Sequence, residues 1–500
     1  MAVIVPDVWN PTLIYFLVVF ALYAVWTKWT ASSSSKNRKL PPSPFQFPLL
    51  GSLPFLGSLP HEAFSRWAKK LGKIYSCRLG GKTVIVLNDA DMIREALAQP
   101  VLSGRPHMYT AEVTAKGHGI SFASDDTWSI HRRFAFKTFR ALGVGQGKIE
   151  ELIQEEAEKM AGSIASLNGE KFCNNNIIRT SVGSVIAGVL FGERFDFDDP
   201  STHAFFDKMN AVFRFFGPCG VLNIFPVLRF IPAIAANFKK VIEALEGAAK
   251  FIDSIIKDRD DCLDTRTVSD YTDAFLNARN KEKELYGKPK LFTDQQYVGA
   301  ARELFLTGYD TTTSTLRWAF LHIGKNAEAQ AKIQQEVDEV VGSGRLPNYA
   351  DAKAMPFTSA AIYETQRLAS IAPLSIPHRA IQDTELSGYF IPKDAWVFTN
   401  MWYVHHDESK WQDADAFRPE RFLSADGKEL VLPNDFIPYS IGKRSCPGET
   451  LAKMALFLIF TTILQRFKLT VENPEGVDMS PVNGITLDTK EYLLTAVPRN

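Results

Sequence analysis

Between Asp7 and Lys28 the chain carries no charged residue, and Leu13 to Trp26 reads LIYFLVVFALYAVW. A bilayer-spanning helix needs about 20 apolar residues, so the run predicts a transmembrane helix. Trp9, Trp26 and Trp29 bracket it, where aromatic side chains sit among headgroups. A cleaved signal peptide is the competing reading, but no basic residues precede the run and no clear small-residue cleavage site follows it. Leu40 to Pro48, LPPSPFQFP, is too proline-dense for a helix and predicts a stiff extended spacer. The expected division is a signal-anchor over 1–29, a polar and proline-rich linker over 30–48 and one large domain over 49–500.

Within that domain, Lys82–Asn88 is a β-branched run after a Gly-Gly turn and predicts a strand. Helical periodicity then dominates to about Arg367, including Lys148–Ala165, Ala236–Arg259 and Ala327–Val341. Beyond Arg367 strands and proline-marked turns take over, followed by a helix over Glu449–Phe467 and a strand-rich tail. The fold class expected is mainly α with a minor β region.

Composition narrows the function. The 500 residues are 46% hydrophobic, with 56 basic and 56 acidic side chains. A net charge of zero gives no electrostatic reason to expect nucleic acid as a partner. Cys77, Cys173, Cys219, Cys262 and Cys446 form no CxxC pair, which predicts free thiols in a reducing compartment. Lys28, Lys36, Arg38 and Lys39 follow the apolar run while only Asp7 precedes it, so the positive-inside rule also places the domain in the cytosol.

Two segments carry candidate chemistry. Thr293-Asp-Gln-Gln296 is a capping-box start, and no proline interrupts the helix it opens before about Gly324. In its middle lies Thr307-Gly-Tyr-Asp-Thr-Thr-Thr313, where glycine and β-branched threonines cost helix propensity and an acid is costly to bury. A solvated exposed turn and a functional groove both explain that patch. The second segment is Phe436-Ile-Pro-Tyr-Ser-Ile-Gly-Lys-Arg-Ser-Cys-Pro-Gly448, with Arg444 two residues before Cys446 and a helix start just after it. Cations and helix N-termini lower a thiol's pKa, so a stabilised thiolate is expected. Zinc would need three or four ligands, and no other Cys or His lies within ten residues of Cys446. A cysteine nucleophile would need a paired base, and His405 and His406 are 40 residues away. A thiolate on haem iron needs no second protein ligand and fits best.

The Cys446 loop resembles the haem-binding signature Phe-x-x-Gly-x-Arg-x-Cys-x-Gly of the cytochrome P-450 family, with Tyr439 where Phe is usual. The resemblance runs from the apolar N-terminus to the C-terminus and implies the cytochrome P-450 fold, haem b as cofactor and Cys446 as axial iron ligand. Glu364-Thr-Gln-Arg367 is similar to the family's Glu-x-x-Arg, and Phe417-Arg-Pro-Glu-Arg-Phe422 implies that Arg421 joins that pair in a buried structural triad. Trp128-Ser-Ile-His-Arg132 resembles Trp-x-x-x-Arg, which implies haem propionate contacts from Trp128 and Arg132. Arg105, His378 and Arg444 resemble the remaining propionate contacts. Thr307 to Thr312 resembles the family's oxygen-side groove, implying that Asp310 and Thr311 deliver protons during oxygen activation, the carboxylate resupplying what the hydroxyl orients. Thr307 replaces the small residue common there.

The resemblance further implies a monooxygenase in the endoplasmic reticulum membrane, single-pass, acting on a lipophilic steroid-like or xenobiotic molecule with O2. Its electrons would come from NADPH–cytochrome P-450 reductase, with cytochrome b5 as a further donor. Arg133, Lys137, Arg140 and Lys443 resemble the docking stripe for such a partner, although an ordinary solvated face has the same composition. The aromatic run Phe205, Phe206, Phe213, Phe215 and Phe216 with the segment to Pro232 is read as a loop dipping into the membrane rather than as core. Substrate-facing residues are expected from about Arg105–Phe122, this region, Phe305–Asp310, Ala372–Ile376 and the tail near Ile485. A haem-thiolate isomerase or dehydratase working without O2, and a non-catalytic haem sensor, are the alternatives.

Overall fold

The computed structural model describes residues 38–145, 147–215, 220–260 and 267–499. The anchor expected over 1–29, the linker's first residues, Phe216 to Cys219 and Cys262 lie outside them. Among the described residues no helix is long and apolar enough to cross a membrane.

Nine helices frame the site: α1 (Asp125–Ala141), α2 (Lys148–Ala165), α3 (Asn175–Phe191), α4 (Pro200–Phe215), α5 (Pro232–Asp260), α6 (Asp294–Lys325), α7 (Ala327–Val340), α8 (Pro356–Ala369) and α9 (Glu449–Arg466). The expected mainly helical fold with small sheets is what is found. The predicted helices match α2, α5, α6, α7 and α9 to within a few residues, because each carries a long apolar pattern unbroken by proline. Strands β1 (Ile74–Leu79) and β2 (Lys82–Leu87) form a hairpin, and β2 pairs in parallel with a strand from the chain's second half. The sheet order is β1-β2-β4-β3, with β3 at His378–Arg379 and β4 at Trp396–Thr399. Ile85 pairs with Val397 and Val86 with Phe398, so buried residues meet across the junction. A second sheet pairs β5 (Phe467–Val471) with β6 (Leu493–Pro498).

Helix α6 crosses the main core. Its start is capped by Thr293, whose hydroxyl accepts from the Gln296 amide at 3.2 Å. Inside it, Thr307, Thr311 and Thr315 each donate to the carbonyl four residues back at 2.8 Å, so these three hydroxyls are satisfied without leaving the helix. Glycines bring neighbours close to this helix. A Cβ at Gly308 would lie 3.1 Å from Ile186 of α3, and one at Gly299 would lie 2.9 Å from His118.

The aromatic run expected in a membrane-dipping loop divides in two. Phe206 and Phe213 lie buried on α4, with Phe206 stacked on Tyr309 of α6 at 4.7 Å, so this part is core after all. Further on, Val227 and Phe230 are 65% and 72% exposed on the short turn Pro226–Phe230. The spacer is also exposed at Phe45 and Phe47, whose rings pack on one another and on the exposed Phe55 just beyond it. These two apolar surfaces adjoin at the hairpin turn: the Gly80 amide donates to Leu50 at 3.1 Å, and a Cβ there would meet the Phe225 ring at 2.8 Å.

Replacing Gly324 tests how tightly α6 is packed. A Cβ would fall 2.7 Å from Val471 Cγ2 and 3.3 Å from the Val471 amide nitrogen. Gly324→Ala should therefore lose stability by about 1–3 kcal/mol from overpacking, outweighing its helix-propensity gain of about 1 kcal/mol. A thermal melt by circular dichroism should show a lowered midpoint.

Candidate active site

A cavity of about 270 Å³ opens between α6, α9 and the segment 438–448. Its walls are mostly apolar: Val182, Val185, Ile186 and Leu190 from α3, Leu304 and Gly308 from α6, Ala372, Ile376 and Ile485. Cys446, Arg105, Arg132, Arg444 and Trp128 also line it. Five expected substrate-facing regions thus contribute, although from the aromatic region only Phe213 does so among the described residues, and Phe305 is turned into the core against Tyr309. The α3 wall was not foreseen. Its one available signal was that α3 is apolar nearly all round, which marks a helix buried on every side.

Three guanidiniums converge on this cavity from different parts of the chain. Arg105 Nε donates to Ser121 O at 2.9 Å, and its Nη1 donates to Ile376 O at 3.0 Å and Pro377 O at 3.1 Å. Arg444 donates from Nε to Ser103 O at 3.0 Å and from Nη2 to Ala123 O at 2.9 Å, and stacks over the Trp128 ring at 3.6 Å. Arg132 donates to Ser445 O at 2.5 Å, beside the sulfur. Burial, then repulsion from Arg444 and Arg132, holds the Arg105 pKa well below its ordinary value. Such a cluster is chemically complementary to a buried anion. His378 behaves differently: it does not line the cavity, its Nδ1 pairs with Leu102 O at 2.9 Å, and burial followed by Arg105 holds its pKa well below the usual range.

The sulfur's loop is fixed by backbone geometry. Gly442 has φ +73°, and a Cβ there would lie 2.6 Å from Leu97 O, so only glycine fits. The Cys446 amide donates to Tyr439 O at 2.9 Å, and α9 begins three residues after the sulfur. The expected lowering of the thiol pKa is corrected here. Burial pushes it up, and the opposing Gly448 N–H and Arg132 do not overcome that. His405 reaches the cavity, yet its Nε2 accepts from Ile437 N at 3.1 Å and its Nδ1 pairs with Ser370 Oγ at 2.8 Å, so neither nitrogen is free to serve Cys446 as a base. Tyr439 Oη accepts from Gln366 Nε2 at 2.7 Å.

Glu364, Arg367 and Arg421 come together behind this loop. Arg367 forks onto Glu364 at 2.7 and 2.9 Å, and Arg421 Nε reaches Glu364 Oε1 at 3.1 Å. Glu364 and Arg367 are fully buried. Arg367 also donates to the carbonyls of His405 and Ala414, both at 2.7 Å.

On α6, Thr311 lines the cavity but Asp310 does not. The Asp310 carboxylate turns toward the tail and accepts a hydrogen bond from Thr486; among the described residues no hydrogen bond joins it to Thr311. Burial raises its pKa to about 7, opposed by the Thr486 hydroxyl and reinforced by Asp488. Thr486 went unremarked in the sequence because nothing local distinguishes it.

A family model described as Cytochrome P450 matches residues 41–496. The chain belongs to the cytochrome P-450 family. It is 34% identical to Cytochrome P450 2H2 of Gallus gallus, over 98% of this chain and 99% of the relative. Cytochrome P450 2B15 of Rattus norvegicus is 34% identical, covering 93% of this chain and 96% of its own, and Cytochrome P450 2J2 of Homo sapiens is 32% identical over 98% and 96%. As a cytochrome P-450 the chain is a monooxygenase, and its cofactor is haem b, bound in this family through a cysteine thiolate. The residues present suit that group: a thiol faces an apolar cavity, and three guanidiniums stand ready for acidic substituents.

Cutting the triad is predicted to be severe. Glu364→Ala strands the buried Arg367 charge, a change of about 3–5 kcal/mol, and should sharply reduce the yield of folded protein. Arg421→Lys keeps a cation and should fold with a lower melting temperature.

Proposed function

We propose that this cytochrome P-450 inserts one oxygen atom of O2 into a lipophilic small molecule, steroid-like or xenobiotic, and that Cys446 would supply the thiolate that holds the haem iron. The carrying observation is that Cys446 shares one cavity with Arg105, Arg132, Arg444 and Trp128. The haem, when bound, supplies the centre at which dioxygen is activated. Arg105, Arg132 and Arg444 would hold it through its acidic substituents, with Trp128 and His378 as the further expected contacts. The largely apolar wall excludes water and receives an apolar substrate. Asp310 holds a proton at its carboxyl and Thr311 orients water above the reacting centre.

Three further parts belong to this reading. Residues 1–29 anchor the chain in the endoplasmic reticulum membrane as a single pass, 30–48 link the anchor, and 49–500 form the cytosolic monooxygenase domain. The adjoining exposed surfaces at Phe45, Phe47, Val227 and Phe230 support a domain lying against that membrane. Arg133, Lys137, Arg140 and Lys443 are exposed on the cysteine side and support docking of acidic NADPH–cytochrome P-450 reductase, with cytochrome b5 as a second donor.

The central assignment is tested by the carbon monoxide difference spectrum of the reduced protein, which should show the thiolate-ligand band. Cys446→Ala should abolish it, and a surviving band overturns the ligand. For the acid, the sign follows from its position: below about pH 7 the Asp310 carboxyl carries its proton, and above it the group is ionised. Product formed per NADPH consumed should fall as pH rises through about 7, and Asp310→Asn should flatten that profile.

A further inference from the structure

The geometry points to Thr486 as a proton-passing residue between Asp310 and the cavity, entering from the tail rather than from α6. The inference rests on the proposed role of Asp310 as the proton store. It begins with where hydroxyl protons are directed. Thr307, Thr311 and Thr315 each donate theirs to a helix carbonyl at 2.8 Å. Thr486 instead donates to the Asp310 carboxylate, and it also lines the cavity. It is therefore the hydroxyl that joins the buried acid to the reaction space.

The backbone around Thr486 holds it there. Ile485 N–H donates to Phe213 O at 3.0 Å, and Leu487 N–H donates to Ile371 O at 2.8 Å, so the residue is clamped from both sides. Trp318 Nε1 fixes Leu487 O at 3.1 Å, and Arg317 pairs with Asp488. The charged groups facing Asp310 are Arg179 from α3, Arg317 from α6 and Asp488 from the tail. Around this carboxyl, burial and Asp488 favour the protonated form, while Thr486 and the two arginines favour the ionised one.

The step balances with one hydroxyl and one carboxyl. With Asp310 protonated, its carboxyl donates to Thr486 Oγ1 and the Thr486 hydroxyl turns to a cavity water; a proton then leaves Asp310 for Oγ1 as the hydroxyl proton passes to that water, and the Asp310 carboxylate, again accepting from Thr486, recovers a proton from solvent. No bond other than O–H is made or broken.

Thr486→Val removes the hydroxyl at nearly constant volume, and Thr486→Ser keeps it. Two readouts on the full-length haem protein separate the outcomes. In infrared difference spectra against Asp310→Asn, the Asp310 carboxyl band should move in Thr486→Val, with its proton affinity raised by about tenfold because a donor to the ionised form is lost. Product per NADPH should nevertheless fall severalfold in Thr486→Val, even above pH 7, and recover in Thr486→Ser. A residue that only tuned Asp310 would do the opposite, since a carboxyl that keeps its proton to higher pH would improve coupling there. Thr486→Val coupled like the parent while Asp310→Asn is uncoupled overturns the inference and leaves Asp310 in place. Asp310→Asn coupled like the parent removes the reading on which the inference rests. An unmoved carboxyl band in Thr486→Val overturns the hydrogen bond itself.

Discussion

Burying positive charge around one sulfur is the constraint that organises this molecule. Arg105, Arg132 and Arg444 come from separate segments; Arg105 and Arg444 are buried and Arg132 half-buried at a largely apolar enclosure. A buried cation is tolerable only when its donors are met. Carbonyls of Ser103, Ser121, Ala123, Ile376, Pro377 and Ser445 meet them. Those bonds tie the segments before α1, after α8 and before α9 into one frame. The same frame shapes the pocket and sets the sulfur's surroundings, so scaffold and site are not separable here.

The core of α6 applies the same rule to neutral groups. Thr307, Thr311 and Thr315 satisfy themselves along the helix, and its glycines admit Ile186 and His118 at close range. Asp310 is the exception. Its carboxylate has no helix partner to turn to and must find one across the gap to the tail. An ion-paired cluster at Arg317 and Asp488 anchors that tail, so the acid's environment depends on residues almost two hundred positions away.

What could be read in the sequence follows from how local each signal is. Helices α2, α6, α7 and α9 announce themselves by long apolar patterns, and α6 also by its cap, while the spacing around Cys446 and in Glu364-Thr-Gln-Arg367 survives as motif because turns and helix faces impose it. Three features were out of reach. The α3 wall has no polar face to define a direction, the parallel junction of β2 with β4 joins segments some three hundred residues apart, and Thr486 acquires meaning only through Asp310. The thiol's pKa departs from its local signals for a related reason: a nearby cation and the helix start are visible in sequence, whereas the burial that outweighs Arg132 and the Gly448 N–H is a property of the whole fold. The aromatic run was divided between core and surface because α4 continues through Phe213, which buries part of what reads as one patch.

The bond between Gln366 and Tyr439 has a consequence for how this chain can change over generations. Gln366 Oε1 already lacks a protein partner, so replacing Tyr439 with the commoner Phe would leave both ends of a buried amide unmet, at about 1–3 kcal/mol. Changing Gln366 first to an apolar residue leaves only a phenol, which has one group to satisfy rather than two. The two positions are therefore epistatic, and the order of substitution matters: drift toward the usual Phe is open by one route and resisted by the other. A departure that looks like an isolated swap in the cysteine loop is half of a hydrogen-bonded pair.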